Sequence, residues 1–194
     1  MVGLARLTNL RQCVETVLDE NVAGDLIETG VWRGGACILM KAILASRNMQ
    51  DRIVWLADSF EGLPVSTAEQ DAGYDLSENA YLAVSLEQVR SAFALFGLLD
   101  ERVRFIKGWF KDSLPKCAIE KLAILRLDGD LYESTMDVLQ SLYDRVAKGG
   151  FIIIDDYNSW PPCKEAVDDY RASRGVKDPI QMIDAQGVFW RRCS

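Results

Sequence analysis

Acidic side chains close four of the five main strand-like apolar runs in this chain. Glu28 follows Leu26-Ile27, Asp58 follows the run Arg52 to Ala57, Asp128 and Asp130 follow Leu122 to Leu127, and Asp155-Asp156 follow Phe151 to Ile154. If those runs are parallel strands, their carboxyl ends face a shared crevice, and these carboxylates are where chemistry is to be sought. The stretch Glu28-Thr29-Gly30-Val31-Trp32-Arg33-Gly34-Gly35 joins a strand to a helix through glycines. Glycine lets backbone approach a ligand closely, and a helix N-terminus offers free N–H groups; a tight turn would use glycine as well. The spacing GxxxGG departs from the GxGxxG dinucleotide fingerprint, which argues against a nicotinamide oxidoreductase. Asp58 stands at the end of the next strand, where a carboxylate can accept both hydroxyls of a ribose. Loop and carboxylate together suggest an adenosine-containing ligand, and the acidic rim suits a positively charged one.

Asp128, Asp155 and Asp156 form a second group, because the fourth and fifth strands of such a sheet are neighbours and bring the three carboxylates together. Unpaired, they repel. A hard divalent cation relieves that repulsion, and an all-oxygen set selects Mg²⁺, Mn²⁺ or Ca²⁺ over zinc. Asp130 lies two residues beyond Asp128 and can reach the same place as a base. Solvated loop aspartates, and for Asp130 a cap on the following helix, are the plainer alternatives.

Histidine is absent from the 194 residues, which excludes a Ser-His-Asp triad, a Cys-His pair, a His-ligated zinc and a His base together. Protons must move through Asp, Glu, Lys, Tyr or bound water. With 49% hydrophobic and 26% charged residues the composition is that of one globular domain spanning 1–194. A net charge of −7 disfavours nucleic acid or an anionic membrane as partner and favours a small molecule. Cys13, Cys37, Cys117, Cys163 and Cys193 are odd in number and scattered, without a CxxC pair, which reads as buried thiols in a reducing, cytoplasmic setting. The most apolar stretch, Ala36 to Ala45, is broken by Lys41 and is too short to span a membrane.

The elements that must position these groups follow from periodicity. Leu4, Leu7, Leu10, Val14, Val17 and Leu18 recur at helical spacing, and apolar helices are predicted from Ala36 to Ser46 and from Ser134 to Ala147, the latter stopped by Lys148-Gly149-Gly150. Ser85 followed by Gln88 opens another helix, to Phe96, with a capping-box pattern. A Pro-started helix runs from Pro162 to Ser173, Val103 to Ile106 adds a strand, and short strands fall near Gln181 to Ile183 and Val188 to Arg191. Alternation of strands and helices predicts an α/β fold with a doubly wound, mostly parallel sheet. Residues 60–82 are too long for an ordinary connection and are a candidate lid or acceptor loop.

Several blocks are long enough to carry a resemblance: Met1-Val-Gly-Leu-Ala-Arg-Leu, Asp25-Leu-Ile-Glu-Thr-Gly-Val-Trp-Arg-Gly-Gly35, Ala57-Asp-Ser-Phe-Glu-Gly-Leu-Pro64, Leu82-Ala-Val-Ser-Leu86, Gly108-Trp-Phe-Lys-Asp-Ser-Leu-Pro115, Leu125-Arg-Leu-Asp-Gly-Asp-Leu-Tyr-Glu-Ser-Thr135, Ile153-Ile-Asp-Asp-Tyr157 and Val188-Phe-Trp-Arg-Arg192. In these the chain resembles the macrocin O-methyltransferase (TylF-type) family of class I S-adenosylmethionine-dependent methyltransferases, which methylate sugar hydroxyls of antibiotics. The resemblance implies a seven-stranded Rossmann-like sheet, S-adenosylmethionine and Mg²⁺ as cofactors, and a hydroxylated small-molecule acceptor. It implies that Glu28, Thr29 and Gly30 meet the cofactor's methionine end, Asp58 its ribose and Ser59 the adenosine region. Trp109, Phe110 and Asp112 would lie near the adenine, and Asp128 at the cofactor as well. Asp128, Asp155 and Asp156 look like the magnesium ligands and Asp130 like the general base. Family members commonly carry a further N-terminal region that covers the active site and dimerises, so a homodimer and a module of a larger protein both fit the sequence. Residues 66–80 follow no quotable family pattern and leave the acceptor open. A catechol or phenol O-methyltransferase and a non-catalytic cofactor-binding domain are the rival readings.

Overall fold

The computed structural model describes residues 2–193; Met1, which heads the first block of the resemblance, lies outside them. Seven strands, β1 (Asp25–Thr29), β2 (Val54–Asp58), β3 (Val103–Lys107), β4 (Leu122–Leu127), β5 (Val146–Ile154), β6 (Gln181–Met182) and β7 (Val188–Arg191), form a sheet ordered β3-β2-β1-β4-β5-β7-β6. The first five are parallel to one another, and β7 runs antiparallel to both β5 and β6. This is the seven-stranded, mostly parallel α/β sheet that the alternation predicts.

The strands are apolar on both faces because both are covered. Leu26, Val54, Leu56, Ile124, Phe151 and Ile153 point to one core, shared with Leu10, Val14 and Val17 of α1 (Leu4–Asp19), Met40 and Leu44 of α2 (Gly35–Ser46), and Val89 and Phe93 of α3 (Leu86–Leu95). The alternate residues Ile27, Trp55, Ala57, Leu125, Ile152 and Ile154 point to the other. There they meet Val138, Leu139 and Leu142 of α5 (Tyr132–Leu142) and Val167 and Tyr170 of α6 (Pro161–Arg174), while the short α4 (Phe110–Ser113) follows β3. The switch point falls beside β1, whose carboxyl end lies between those of β2 and β4, so a ligand crevice is expected there.

Two boundaries differ from the sequence reading. The helix expected from Ser134 to Ala147 begins at Tyr132 and ends at Leu142, passing through a 3₁₀ turn (Tyr143–Arg145) into β5. Lys148-Gly149-Gly150 therefore stops no helix and lies within β5. There the β4–β5 register shifts between Leu122 and Ile124, and a Cβ on Gly150 would stand 2.8 Å from the Ala123 carbonyl oxygen. These glycines admit a close strand approach at a bulge, one of the uses of glycine inside a strand. The second difference is that the helix after β4 is not capped by Asp130: Leu131 occupies the cap position and offers no side-chain bond.

The capping box of α3 is formed as its sequence implies. Gln88 N donates to Ser85 Oγ at 3.3 Å, and Ser85 N donates to Gln88 Oε1 at 2.9 Å. Ser85→Ala is expected to lower unfolding free energy by about 1 kcal/mol in urea titration, with an unchanged m-value.

Candidate active site

A cleft of about 650 Å³ opens at the carboxyl ends of β1, β2 and β4, within the range of small-ligand sites. Glu28, Gly30, Asp58, Ser59, Trp109, Phe110, Asp128 and Asp130 of the expected site line it, joined by Trp32, Arg33, Leu63, Pro64, Tyr81, Leu82 and Phe96. The 60–82 stretch thus forms one wall, through Gly62 to Pro64 and Tyr81-Leu82. Four expected residues are absent from the lining, Asp155 and Asp156 at the β5 end and two expected cofactor contacts. Thr29 is buried and donates its hydroxyl to the Arg126 carbonyl at 3.3 Å, and Asp112 is exposed on α4.

At the β1 end, packing dictates glycine: Gly30 has φ +81°, and a Cβ there would come within 1.9 Å of the Asp128 carbonyl oxygen. Backbone of β1 and β4 therefore meets where the cleft begins. At the β2 end, Asp58 Oδ2 accepts from Val31 N at 2.7 Å and Trp32 N at 3.4 Å, and Oδ1 accepts from Phe60 N at 2.7 Å. Burial raises the Asp58 carboxyl above its ordinary value, against the lowering effect of these backbone donors. The carboxylate is oriented by the glycine loop. Trp32, Phe60 and Asp130, following β1, β2 and β4, hold left-handed φ values of +45°, +57° and +56°. Non-glycine residues in that region carry strain, and such strain concentrates at functional sites.

Arg126, 1% exposed in β4, organises the acidic end of the site. One guanidinium nitrogen donates to Glu28 and, at 2.8 Å, to Asp128; the other donates to Asp155. The second oxygen of Asp155 accepts from Arg6 on α1, which also pairs with Asp184 at 3.2 Å. The expected trio of Asp128, Asp155 and Asp156 is thus divided in this structure. Arginines hold both Asp155 oxygens, and the carboxylates whose oxygens lie within 4.8 Å of one another are Asp128, Asp130 and Asp156.

Of that trio, Asp128 is paired with Arg126, whereas Asp130 and Asp156 have no salt bridge among the described residues. Burial first, and Asp128 next, raises the Asp130 carboxyl; burial, then Asp128 and Asp130, raises Asp156 further. Asp156 Oδ2 is buried without a hydrogen-bond partner. Clustered carboxylates with an unpartnered buried oxygen are a donor set for a hard divalent cation. Glu28 is pushed up to about 7 by burial, against the pull of Arg126, and accepts from the Cys37 thiol at 2.9 Å. Sequence reasoning missed Arg126 and Arg6. A charged residue inside the apolar run Leu122 to Leu127 was the available sign that something buried needed pairing.

Among the described residues no helix is long and apolar enough to cross a membrane. The family model "Macrocin-O-methyltransferase (TylF)" matches residues 1–192. The chain is 55% identical to a demethyldecarbamoylnovobiocin O-methyltransferase of Streptomyces niveus, over 99% of this chain and 75% of that protein. It is 51% identical to a mycinamicin III 3''-O-methyltransferase of Micromonospora griseorubida, over 99% of this chain and 78% of that protein. The solved structure of the O-methyltransferase NovP is similar, with a TM-score of 0.98 at 54% identity, covering all of this chain and 81% of that one. Calicheamicin methyltransferase CalS11, at 21% identity and a TM-score of 0.76 over 95% of this chain and 77% of that one, shares the fold. The chain belongs to the macrocin O-methyltransferase family and is an S-adenosylmethionine-dependent O-methyltransferase of class I fold.

Proposed function

We propose that this enzyme methylates a sugar hydroxyl of a glycosylated natural product and that the reaction depends on magnesium. The observation that carries the reading is the Asp128, Asp130 and Asp156 trio at the β4 and β5 ends, with one buried Asp156 oxygen unpartnered. Relatives support the acceptor class: one is named for demethyldecarbamoylnovobiocin, another as a 4'-O-methyltransferase of a rhamnosyl tetracenomycin from Streptomyces olivaceus. Asp128 and Asp156 would hold the metal. When bound, the ion would lower the pKa of an acceptor hydroxyl it ligates and fix its position.

The remaining roles belong to the chain itself. Asp58, oriented by the N–H groups of Val31, Trp32 and Phe60, is placed to accept the ribose hydroxyls. Glu28 and the Gly30 turn face the methionine end of the cofactor, with Glu28 held by Arg126 and Cys37. Trp109, Phe110 and Ser59 border the adenosine region. Asp130, at the cleft wall, takes the acceptor proton on a carboxylate oxygen as the acceptor oxygen bonds to the methyl carbon and the carbon–sulfur bond breaks. Burial raises its proton affinity and so suits it to that task. Leu63, Tyr81, Leu82 and Phe96 supply an apolar mouth for the body of the acceptor.

Two experiments test this. Calorimetry with S-adenosylhomocysteine and Mg²⁺, repeated in excess EDTA, is expected to show cofactor binding and a separate magnesium site. Asp156→Ala should abolish that site, whereas Asp155→Ala should retain it and lose about 3 kcal/mol of stability through its two arginines. Equal loss of magnesium affinity in both variants would show that Asp155 leaves its arginines for the ion. In turnover assays, deoxysugar glycosides including demethyldecarbamoylnovobiocin should be methylated and simple catechols should not. Asp130→Asn should lower kcat by about 10²-fold or more while sparing S-adenosylhomocysteine binding. Methylation of catechols alone would move the enzyme to the phenol class, and a fully active Asp130→Asn would remove Asp130 as base.

A further inference from the structure

Asp71, in the middle of the 60–82 stretch, is 6% exposed although it is far in sequence from every strand end. Its two oxygens accept from the first amides of α5: Tyr132 N donates to Oδ1 at 2.7 Å and Glu133 N to Oδ2 at 3.1 Å. Ser66 Oγ donates to the same carboxylate at 2.5 Å. The connection is returned, because the Glu133 carboxylate accepts from Thr67 N at 3.1 Å and lies 3.0 Å from Ser66 Oγ. A carboxylate from the loop caps the helix, and a carboxylate from the helix holds the loop. The negative charge of Asp71 at the α5 N-terminus is also favoured by the helix dipole.

Two residues before Tyr132 stands Asp130, in the left-handed conformation at φ +56°. No side chain of its own turn caps α5, since Leu131 occupies the cap position. The same loop reaches the other half of the acidic trio: Tyr74 packs edge-on against Trp160 at 5.9 Å, and Trp160 N donates to the Asp156 carbonyl at 3.0 Å. Segment 66–74 thus braces the backbone on either side of the trio.

We infer that Asp71 is a positioning residue for the methyl transfer: by capping α5 from the 60–82 loop it fixes the Asp130 turn and makes base placement depend on that loop being docked. This rests on Asp130 acting as the base. A misplacement of about 1 Å at a reacting group costs about a hundredfold in rate, and loss of the Asp71 cap releases the turn that carries Asp130.

The test combines rates with demethyldecarbamoylnovobiocin and hydrogen exchange of the acceptor-free protein. Asp71→Ala should lower kcat about a hundredfold with a change of less than about twofold in S-adenosylhomocysteine Kd. Asp71→Asn keeps a carbonyl acceptor and should recover most of the rate. Asp75→Ala, an exposed change in the same loop, should leave kcat unchanged. In the Asp130→Asn background, Asp71→Ala should change kcat by less than about threefold, because two residues acting through one step are not additive. Amides 132 and 133 should exchange about tenfold faster in Asp71→Ala. Unchanged amide protection, wild-type kcat in Asp71→Ala, or an equal loss in both backgrounds would overturn the proposal. A fully active Asp130→Asn would overturn the base assignment and this inference with it, whereas an impaired Asp130→Asn beside a fully active Asp71→Ala overturns this inference alone.

Discussion

The buried Arg126 guanidinium is the interaction on which the rest of the site depends. Arg126 ties together carboxylates from three strands, Glu28 of β1, Asp128 just beyond β4 and Asp155 just beyond β5. A charge taken so far from water is tolerated only when its hydrogen-bonding capacity is filled, and a planar guanidinium can fill it with several carboxylates at once. The consequence is a division of labour among the acids. Arg126 and Arg6 hold both oxygens of Asp155, Arg126 reaches Glu28 and one oxygen of Asp128, and no arginine or lysine of the described residues pairs with Asp130 or Asp156.

Those last two carboxylates are what make the region chemically capable. Burial and neighbouring carboxylates raise the proton affinity of Asp130 and Asp156, and the unpartnered Asp156 oxygen is costly unless a cation or a proton arrives. The backbone is strained in the same places, with Trp32, Phe60 and Asp130 all in left-handed conformation at the ends of strands. Each of these turns is held by backbone amides donating to a carboxylate. Asp58 receives the amides of Trp32 and Phe60, and Asp71 receives the amides that follow Asp130. Strain at the rim is stabilised by the well-packed cores on either side of the sheet, where the alternating strand residues are almost entirely buried.

The cleft is made of parts with different mechanical character. Its floor is the sheet edge, fixed by parallel pairing and by the close approach of Gly30 to the Asp128 carbonyl. One wall is a loop with little regular structure beyond a 3₁₀ turn (Glu69–Asp71), attached by Asp71 and Ser66 to α5 and by Tyr81 to Trp32. The indole of Trp32 donates to the Tyr81 carbonyl at 3.0 Å, and Arg33 stacks over the Trp32 ring. The loop is therefore joined to both the glycine turn and the N-terminus of α5.

Local pattern determined much of this protein. Apolar runs, helical periodicity and the Ser85-Gln88 pair specify elements through interactions between residues close in sequence, and the acidic residues after each run were visible for the same reason. The strand order that brings β4 and β5 together follows from general rules of parallel sheets. Tertiary structure alone decided which carboxylates are paired and which are free, because that depends on where the Arg126 and Arg6 side chains reach. It also decided that Lys148-Gly149-Gly150 lies at a strand irregularity instead of a helix stop, since the β4 backbone at Ala123 comes too close to Gly150 for a side chain. Asp71 carried no local signal, as its partners lie some sixty residues away on α5. Secondary structure is encoded by short-range sterics and hydrophobic spacing, whereas the protonation, pairing and orientation of site residues are set by groups that only the folded chain brings within a few ångströms.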